Sequence, residues 1–148
     1  MTEIRFYHLL KTPEAQALPQ IAMKAWQANG PVVIKAADDA AVAALNDALW
    51  AFRPEAFLPH GSKVDGNAAR QPVWLTDGDD NPNGAKTLIV AAGAVAGSVE
   101  GYALCCLMLD GNDEAQVADA RTLWKTYKDA GYTLSYWQQG ENGWEKKA

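Results

Sequence analysis

Cysteine is scarce and poorly placed for cross-linking. The chain holds only Cys105 and Cys106, neighbours inside an apolar run. Successive side chains of a strand point to opposite faces, so these two form neither a bridge to each other nor a ready pair of metal ligands. A disulfide framework is excluded, which suits a reducing compartment. Positive charge is also short: 13 Lys and Arg stand against 18 Asp and Glu, a formal charge of −5. That excludes a wide DNA-wrapping surface, though not a local basic patch. No apolar run is long enough to span a bilayer. The least polar stretch, residues 87–109, is broken by Glu100 and by glycines, and reads as strand, turn, strand. Glu3 and Arg5 interrupt the apolar start, so it does not read as a signal peptide. No internal repeat occurs.

What is present is a chain of 148 residues, 49% hydrophobic and 21% charged, a composition that supports one folded core rather than disorder. Residues 4–10 read as a first strand. Thr12 and Pro13 open a helix over 13–29, with Leu18, Ile21, Ala25 and Ala28 on its inward face and Asn29-Gly30-Pro31 at its end. Val32 to Ile34 is a short buried strand. Asp38 or Asp39 starts a second helix over 38–51, with Val42, Leu45 and Leu49 as its core stripe. A proline-bracketed connector, FRPEAFLPHG, and a polar, flexible stretch over 61–70 follow. Strands are expected at 72–75, 87–91, 102–109 and 133–137, with the loop DGDDNPNG at 77–84 and a third helix over 112–130 stopped by Gly131. Residues 139–148 form a polar, loose tail beyond a single domain over 1–138. Short apolar strands alternating with amphipathic helices predict a three-layer α/β/α fold with a mostly parallel central sheet.

Folds of this kind often bind nucleotides, yet the chemistry for that is missing. No GxGxxG follows the first strand, and no GxxxxGK[ST] occurs. His8 lies inside a strand and His60 in a rigid turn, and nothing in their spacing builds a metal site. DGDDN resembles a calcium loop only faintly, because it lacks the 12-residue spacing and the closing glutamate. No serine sits in a nucleophile elbow. No catalysis, cofactor or metal is expected.

The six tryptophans are more informative. On the second helix, Trp50 lies about 100° from the centre of the core stripe, a flank position. With Phe57 seven residues later it reads either as a small aromatic interface or as packing beneath the connector. On the third helix, Ala120, Leu123, Tyr127 and Ala130 mark the expected core stripe. Val117, Arg121, Trp124, Lys125 and Lys128 border it as a basic, part-aromatic stripe. Three cations around one tryptophan in an acidic protein have two explanations. Their stems snorkel over the sheet edge for solubility, or they receive an anionic peptide ending in a carboxylate and an apolar side chain.

Five blocks carry a family likeness: FYHLL at 6–10, the helix with NGPVVI at 20–34, LNDALWAFRPEAFLPHG at 45–61, QPVWLT at 71–76 and ARTLWKTYKDAGYTLSYWQ at 120–138. Together they resemble the chi subunit family of bacterial DNA polymerase III, a clamp-loader accessory protein. The resemblance implies a single nucleotide-binding-like α/β/α domain without a phosphate loop, no polymerase chemistry of its own, and a cytoplasmic location at the replication fork. It implies binding to the C-terminal tail of single-stranded DNA-binding protein through Arg121, Trp124 and Lys125, with Lys128 at a further basic position. Val117 stands where the family places a lysine, which makes the pocket less positive. It also implies a second face, built on Trp50 and Phe57, for a psi-like clamp-loader subunit or a repair helicase. DNA would be met only indirectly, and a membrane not at all. The alternative outside the family is a general single-stranded nucleic-acid-binding module that uses the basic helix and stacking on Trp124. A small cytosolic enzyme would need convergent polar groups at strand ends, and no such set stands out.

Overall fold

The computed structural model describes residues 2–51, 60–63, 65–95, 97–141 and 143–148. Eight strands make one sheet: β1 (Glu3–Leu9), β2 (Val32–Lys35), β3 (Gly61–Ser62), β4 (Val73–Thr76), β5 (Thr87–Val90), β6 (Leu104–Asp110), β7 (Thr133–Gly140) and β8 (Gly143–Lys146). Three helices accompany them: α1 (Glu14–Asn29), α2 (Asp39–Ala51) and α3 (Glu114–Asp129). The spatial order is β3-β4-β2-β5-β6-β1-β7-β8, and every pairing is parallel except the closing β7–β8 hairpin. The expected α/β class and mostly parallel sheet are what the chain adopts.

Continuous apolar strands are buried on both faces, as a parallel sheet requires. One face carries Tyr7, Leu9, Ile34, Leu75, Ile89, Cys106 and Met108 against Leu18, Ile21, Val42, Leu45 and Leu49 of α1 and α2. The other carries Ile4, Phe6, Val33, Trp74, Leu88, Cys105 and Leu107 beneath Ala120 of α3. The two cysteines therefore point to opposite faces. Both are fully buried, which pushes their thiols up, Cys106 to about 12. Asp38 caps α2 by accepting the Ala41 N–H at 2.8 Å. Gly30 and Gly131, with φ of +80° and +90°, close α1 and α3.

Three local expectations are corrected. Pro13, not Thr12, is the N-cap of α1, and no side chain caps that end. Thr12 is engaged elsewhere: Gln139 Nε2 donates to its hydroxyl at 2.5 Å. Residues 61–70, read as polar and flexible, hold the two-residue edge strand β3 and a 3-10 turn at Ala68–Arg70. The tail over 139–148 is not loose. Gln139 belongs to β7, and its side-chain oxygen accepts the backbone N–H groups of Leu10, Lys11 and Thr12 at 2.8–3.2 Å. Beyond it, β8 pairs with β7, and Trp144 meets the Tyr7 ring edge-on at 5.0 Å. Composition hid this because one aromatic among polar residues is enough to dock a short hairpin on an existing sheet edge.

Trp144→Ala should lower stability by about 1–2 kcal/mol, the scale for losing a half-buried aromatic and one ring pair. A urea denaturation midpoint equal to wild type would show that the hairpin carries no stability. Because the thiolate is the nucleophile, both cysteines should resist alkylation at pH 8 until the protein unfolds. Labelling mass spectrometry with and without denaturant reads this directly.

Candidate functional site

The entry to α3 is fixed by a dense set of short bonds. Gly111 N–H donates to the Leu9 carbonyl at 2.7 Å, and Asp110 N–H donates to the Gln116 side chain at 2.8 Å. Asp113 caps the helix by accepting the N–H groups of Ala115 and Gln116. These bonds fix where the helix starts above the end of β6.

The rotation of α3 differs from the expected one. Val117, Ala120, Trp124 and Tyr127 face the sheet, whereas Leu123 and Ala130 are exposed. On a wheel of about 100° per residue the inward direction is shifted by roughly 60°. The reason is aromatic volume. Phe6 from β1 and Tyr136 from β7 stack at 5.9 Å and leave a place for a large ring above them. Trp124 fills it, 5.5 Å from Phe6 and 6.0 Å from Tyr136. Trp124 is thus a half-buried keystone rather than a bordering residue, and the smaller Ala130 is left outside.

The shift gives α3 two unlike flanks. Arg121, Lys125 and Lys128 are exposed on the flank toward β7, and among the described residues no ion pair engages them. Arg121 stands close enough to Tyr136 to act on its phenol. Burial pushes that phenol up, and the arginine charge pulls it back. Val117 lies half-buried one turn before Arg121. The structure therefore gathers Val117, Arg121, Trp124, Lys125 and Lys128 on one helix, with Trp124 as base and the cations as rim. The opposite flank carries Asp119, Thr122 and Leu123 over a cavity of about 310 Å³, closed on its far side by Gly93, Ala94 and Val95. None of the five predicted residues lines that cavity.

The second predicted face lies elsewhere. Trp50, near the end of α2, is 57% exposed, as its flank position predicts. Its ring rests edge-on against the buried His60 imidazole at 4.8 Å. Phe57 lies outside the described residues. The α2 helix covers β4 and β3 at one end of the sheet, while α3 covers β6 and β7 toward the other and on the opposite face. Five strand spacings separate β4 from β7, roughly 24 Å.

A third place deserves comparison because it is where α/β sheets usually bind ligands. β1 and β6 are neighbours whose following helices leave on opposite faces, and a cavity of about 400 Å³ opens at their C-terminal ends. It is lined by two carboxylates, Glu14 and Asp110. Glu14 accepts the Ala92 N–H at 2.5 Å and is pushed up by burial, with Asp110 adding to the shift. Two carboxyl groups, with Lys11 also in the lining, thus occupy the position that a nucleotide-binding sheet gives to phosphate. In the loop at 77–84, Asp79 pairs with Lys35, and Asp80 accepts from Trp74 and Thr76, so these carboxylates serve the loop itself. Among the described residues no three His, Cys, Asp or Glu side chains gather around a common metal position. No helix there is long and apolar enough to cross a membrane.

The residues that sequence reasoning missed are His8, Tyr136 and Gln139. The signal for His8 and Tyr136 was the two-residue period of β1 and β7, which places Phe6, His8, Leu134 and Tyr136 on the face that α3 covers, whereas Gln139 left no local signal.

Comparison with known proteins agrees with the blocks of likeness. A "Probable DNA polymerase III subunit chi" of Rickettsia prowazekii is 33% identical over 90 residues, covering 61% of this chain and 54% of that protein. The "DNA polymerase III subunit chi" of Pseudomonas aeruginosa is 31% identical over 137 residues, covering 90% of this chain and 94% of that protein. The chain thus spans about half the length of the first relative and nearly all of the second. The family model described as DNA polymerase III chi subunit, HolC, matches residues 1–135. With that match running from the first strand into β7, the chain belongs to the DNA polymerase III chi subunit family.

Proposed function

We propose that this chain is a non-catalytic accessory subunit of the DNA polymerase III holoenzyme that links the clamp loader to the C-terminal tail of single-stranded DNA-binding protein. The observation that carries this reading is the separation of two unlike surfaces on one rigid sheet. The cationic flank of α3 suits an anionic peptide, and the exposed Trp50 of α2 suits an apolar partner. They lie on opposite faces and toward opposite ends of the sheet, so occupation of one does not block the other.

On the α3 flank, the Arg121 guanidinium is the group best shaped for a bidentate carboxylate contact, with Lys125 and Lys128 as point charges beside it. Trp124 and the methylenes of its neighbours frame the place for an apolar terminal side chain. A disordered tail loses entropy on binding, so single-site affinity is modest. Many tails on one coated strand raise the effective affinity. The Trp50 face, with Phe57 in the adjoining connector, would receive a psi-like subunit or a repair helicase. DNA would be met only through these partners, in the cytoplasm at the fork. A general single-stranded nucleic-acid binder would present Trp124 as an open stacking platform. Instead the ring is held against Phe6 and Tyr136, and the net charge is −5.

Arg121→Ala should weaken binding of a labelled tail peptide by about 2 kcal/mol, roughly 30-fold, as expected for a charged hydrogen bond. Lys128→Ala should cost about 0.5 kcal/mol, the value of a rim charge. Fluorescence anisotropy with the full peptide and with one lacking its last apolar residue tests both the residue and the pocket. Equal affinity for the two peptides would reduce the site to unspecific charge attraction, and tight binding of an unrelated oligonucleotide would favour the nucleic-acid reading. Trp50→Ala should weaken capture of a psi-like subunit or helicase while changing tail affinity less than twofold, because the two surfaces share no contact. Loss of both activities together would indicate misfolding, which a thermal melt identifies.

A further inference from the structure

The basic flank of α3 has a floor made by the sheet. β1 and β7 run parallel with Phe6 opposite Tyr136 and His8 opposite Gln138. His8 stands near the end of this row, where β1 gives way to the turn before α1. Its Nδ1 lies 2.5 Å from Tyr136 Oη, and the two rings meet edge-on at 5.7 Å. Behind the imidazole is Gly111, where a Cβ would run into the His8 ring and the Leu9 carbonyl, so only glycine leaves the ring its place. Tyr136 in turn touches Trp124 and lies within the field of Arg121. His8, Tyr136 and Trp124 are each half-buried, with part of each still open to solvent.

We propose that His8 and Tyr136 belong to the anionic-peptide site itself, with His8 as a proton-dependent anchor that acts through Tyr136. This rests on the tail-binding reading above and adds to it a residue pair and a pH response.

The chemistry follows from the short hydrogen bond. A neutral imidazole can accept the Tyr136 O–H at Nδ1, and the hydroxyl then has no proton to offer outward. A protonated imidazole carries N–H on both nitrogens. Nδ1–H then donates to Oη, and the hydroxyl proton is released to turn toward a bound carboxylate. Protonation thus adds a positive charge and a second donor at one place. The titratable groups that act on His8 are Tyr136 from β7 and Asp110 from the end of β6, while Arg121 of α3 acts on Tyr136. Burial lowers the His8 pKa from its ordinary value, and Asp110 partly opposes this. The free protein therefore favours neutral His8 more than an ordinary imidazole would. An anion bound beside it favours the protonated form and raises its pKa. A ligand that prefers the protonated state binds more tightly as pH falls through the interval between the bound and free values. Peptide carboxylates stay ionised above about pH 5, so they do not supply this response.

The test uses the full chain and a labelled acidic peptide ending in an apolar residue, titrated at pH 5.5 and 7.5. Wild type should bind about five- to tenfold more tightly at pH 5.5, since a one-unit rise in pKa on binding corresponds to tenfold. His8→Gln should change less than twofold, and Tyr136→Phe should lose part of the response. In parallel, NMR of the His8 ring in wild type should show its pKa rising when peptide saturates the protein, a readout that does not require any variant to fold. An unchanged His8 pKa, or a pH response as large in His8→Gln as in wild type, overturns this inference and leaves the tail reading standing. Failure of the peptide to bind wild type at either pH overturns both.

Discussion

The pairing of β1 with two parallel neighbours governs both the core and the candidate site. β1 sits between β6 and β7 with six or seven residues in register on each side. That double pairing leaves β1 no free edge, and layers on both faces cover its apolar side chains: Ile4 and Phe6 go under α3 while Tyr7 and Leu9 go under α1 or the hairpin. Phe6 then fixes Trp124 and Tyr136, and through them the rotation of α3. The direction in which Arg121, Lys125 and Lys128 project is therefore decided on a strand more than a hundred residues earlier in the chain. A one-residue slip of β1 would exchange its two faces and dismantle both layers.

The charge distribution is understandable on the same scaffold. An overall charge of −5 discourages unspecific attraction to nucleic acid, while a local cationic flank still attracts an anionic peptide over about a Debye length, roughly 8–10 Å. Along the middle of α3 the two sides differ in charge. Cations stand toward β7, whereas Asp119 with Thr122 and Leu123 stands toward the loop at 93–95.

Much of this was legible in the sequence because the relevant periods are short. The alternation of strands and helices, the opposed cysteines, the Val42-Leu45-Leu49 stripe and the exposed position of Trp50 all follow from counting along one element. What was not legible depends on contacts between elements distant in the chain. The rotation of α3 could not be read from its own wheel, because the size of the rings on β1 and β7 decides which of Leu123 and Trp124 fits inward. The triple use of Gln139 and the docking of Trp144 on Tyr7 join the two ends of the chain, and neither leaves a local signature. The basic stripe was visible as a pattern of residue types, but its floor of His8 and Tyr136 required the register of two parallel strands.

The crevice at the ends of β1 and β6 explains how a nucleotide-type sheet comes to present its chemistry elsewhere. In such sheets the switch point attracts phosphate through free N–H groups at helix starts. Here Glu14 in the first turn of α1 turns its carboxylate to the Ala92 N–H, and the start of α3 is closed by Asp113, with Gln116 holding the Asp110 N–H. Each bond stabilises a turn and at the same time places negative charge or a filled acceptor where an anion would have to enter. With the crevice serving structure, the groups left exposed for binding are those on the outer flank of α3 and the end of α2. A fold fixes where its strands end, but the side chains at those ends decide whether that place binds a ligand or braces the chain.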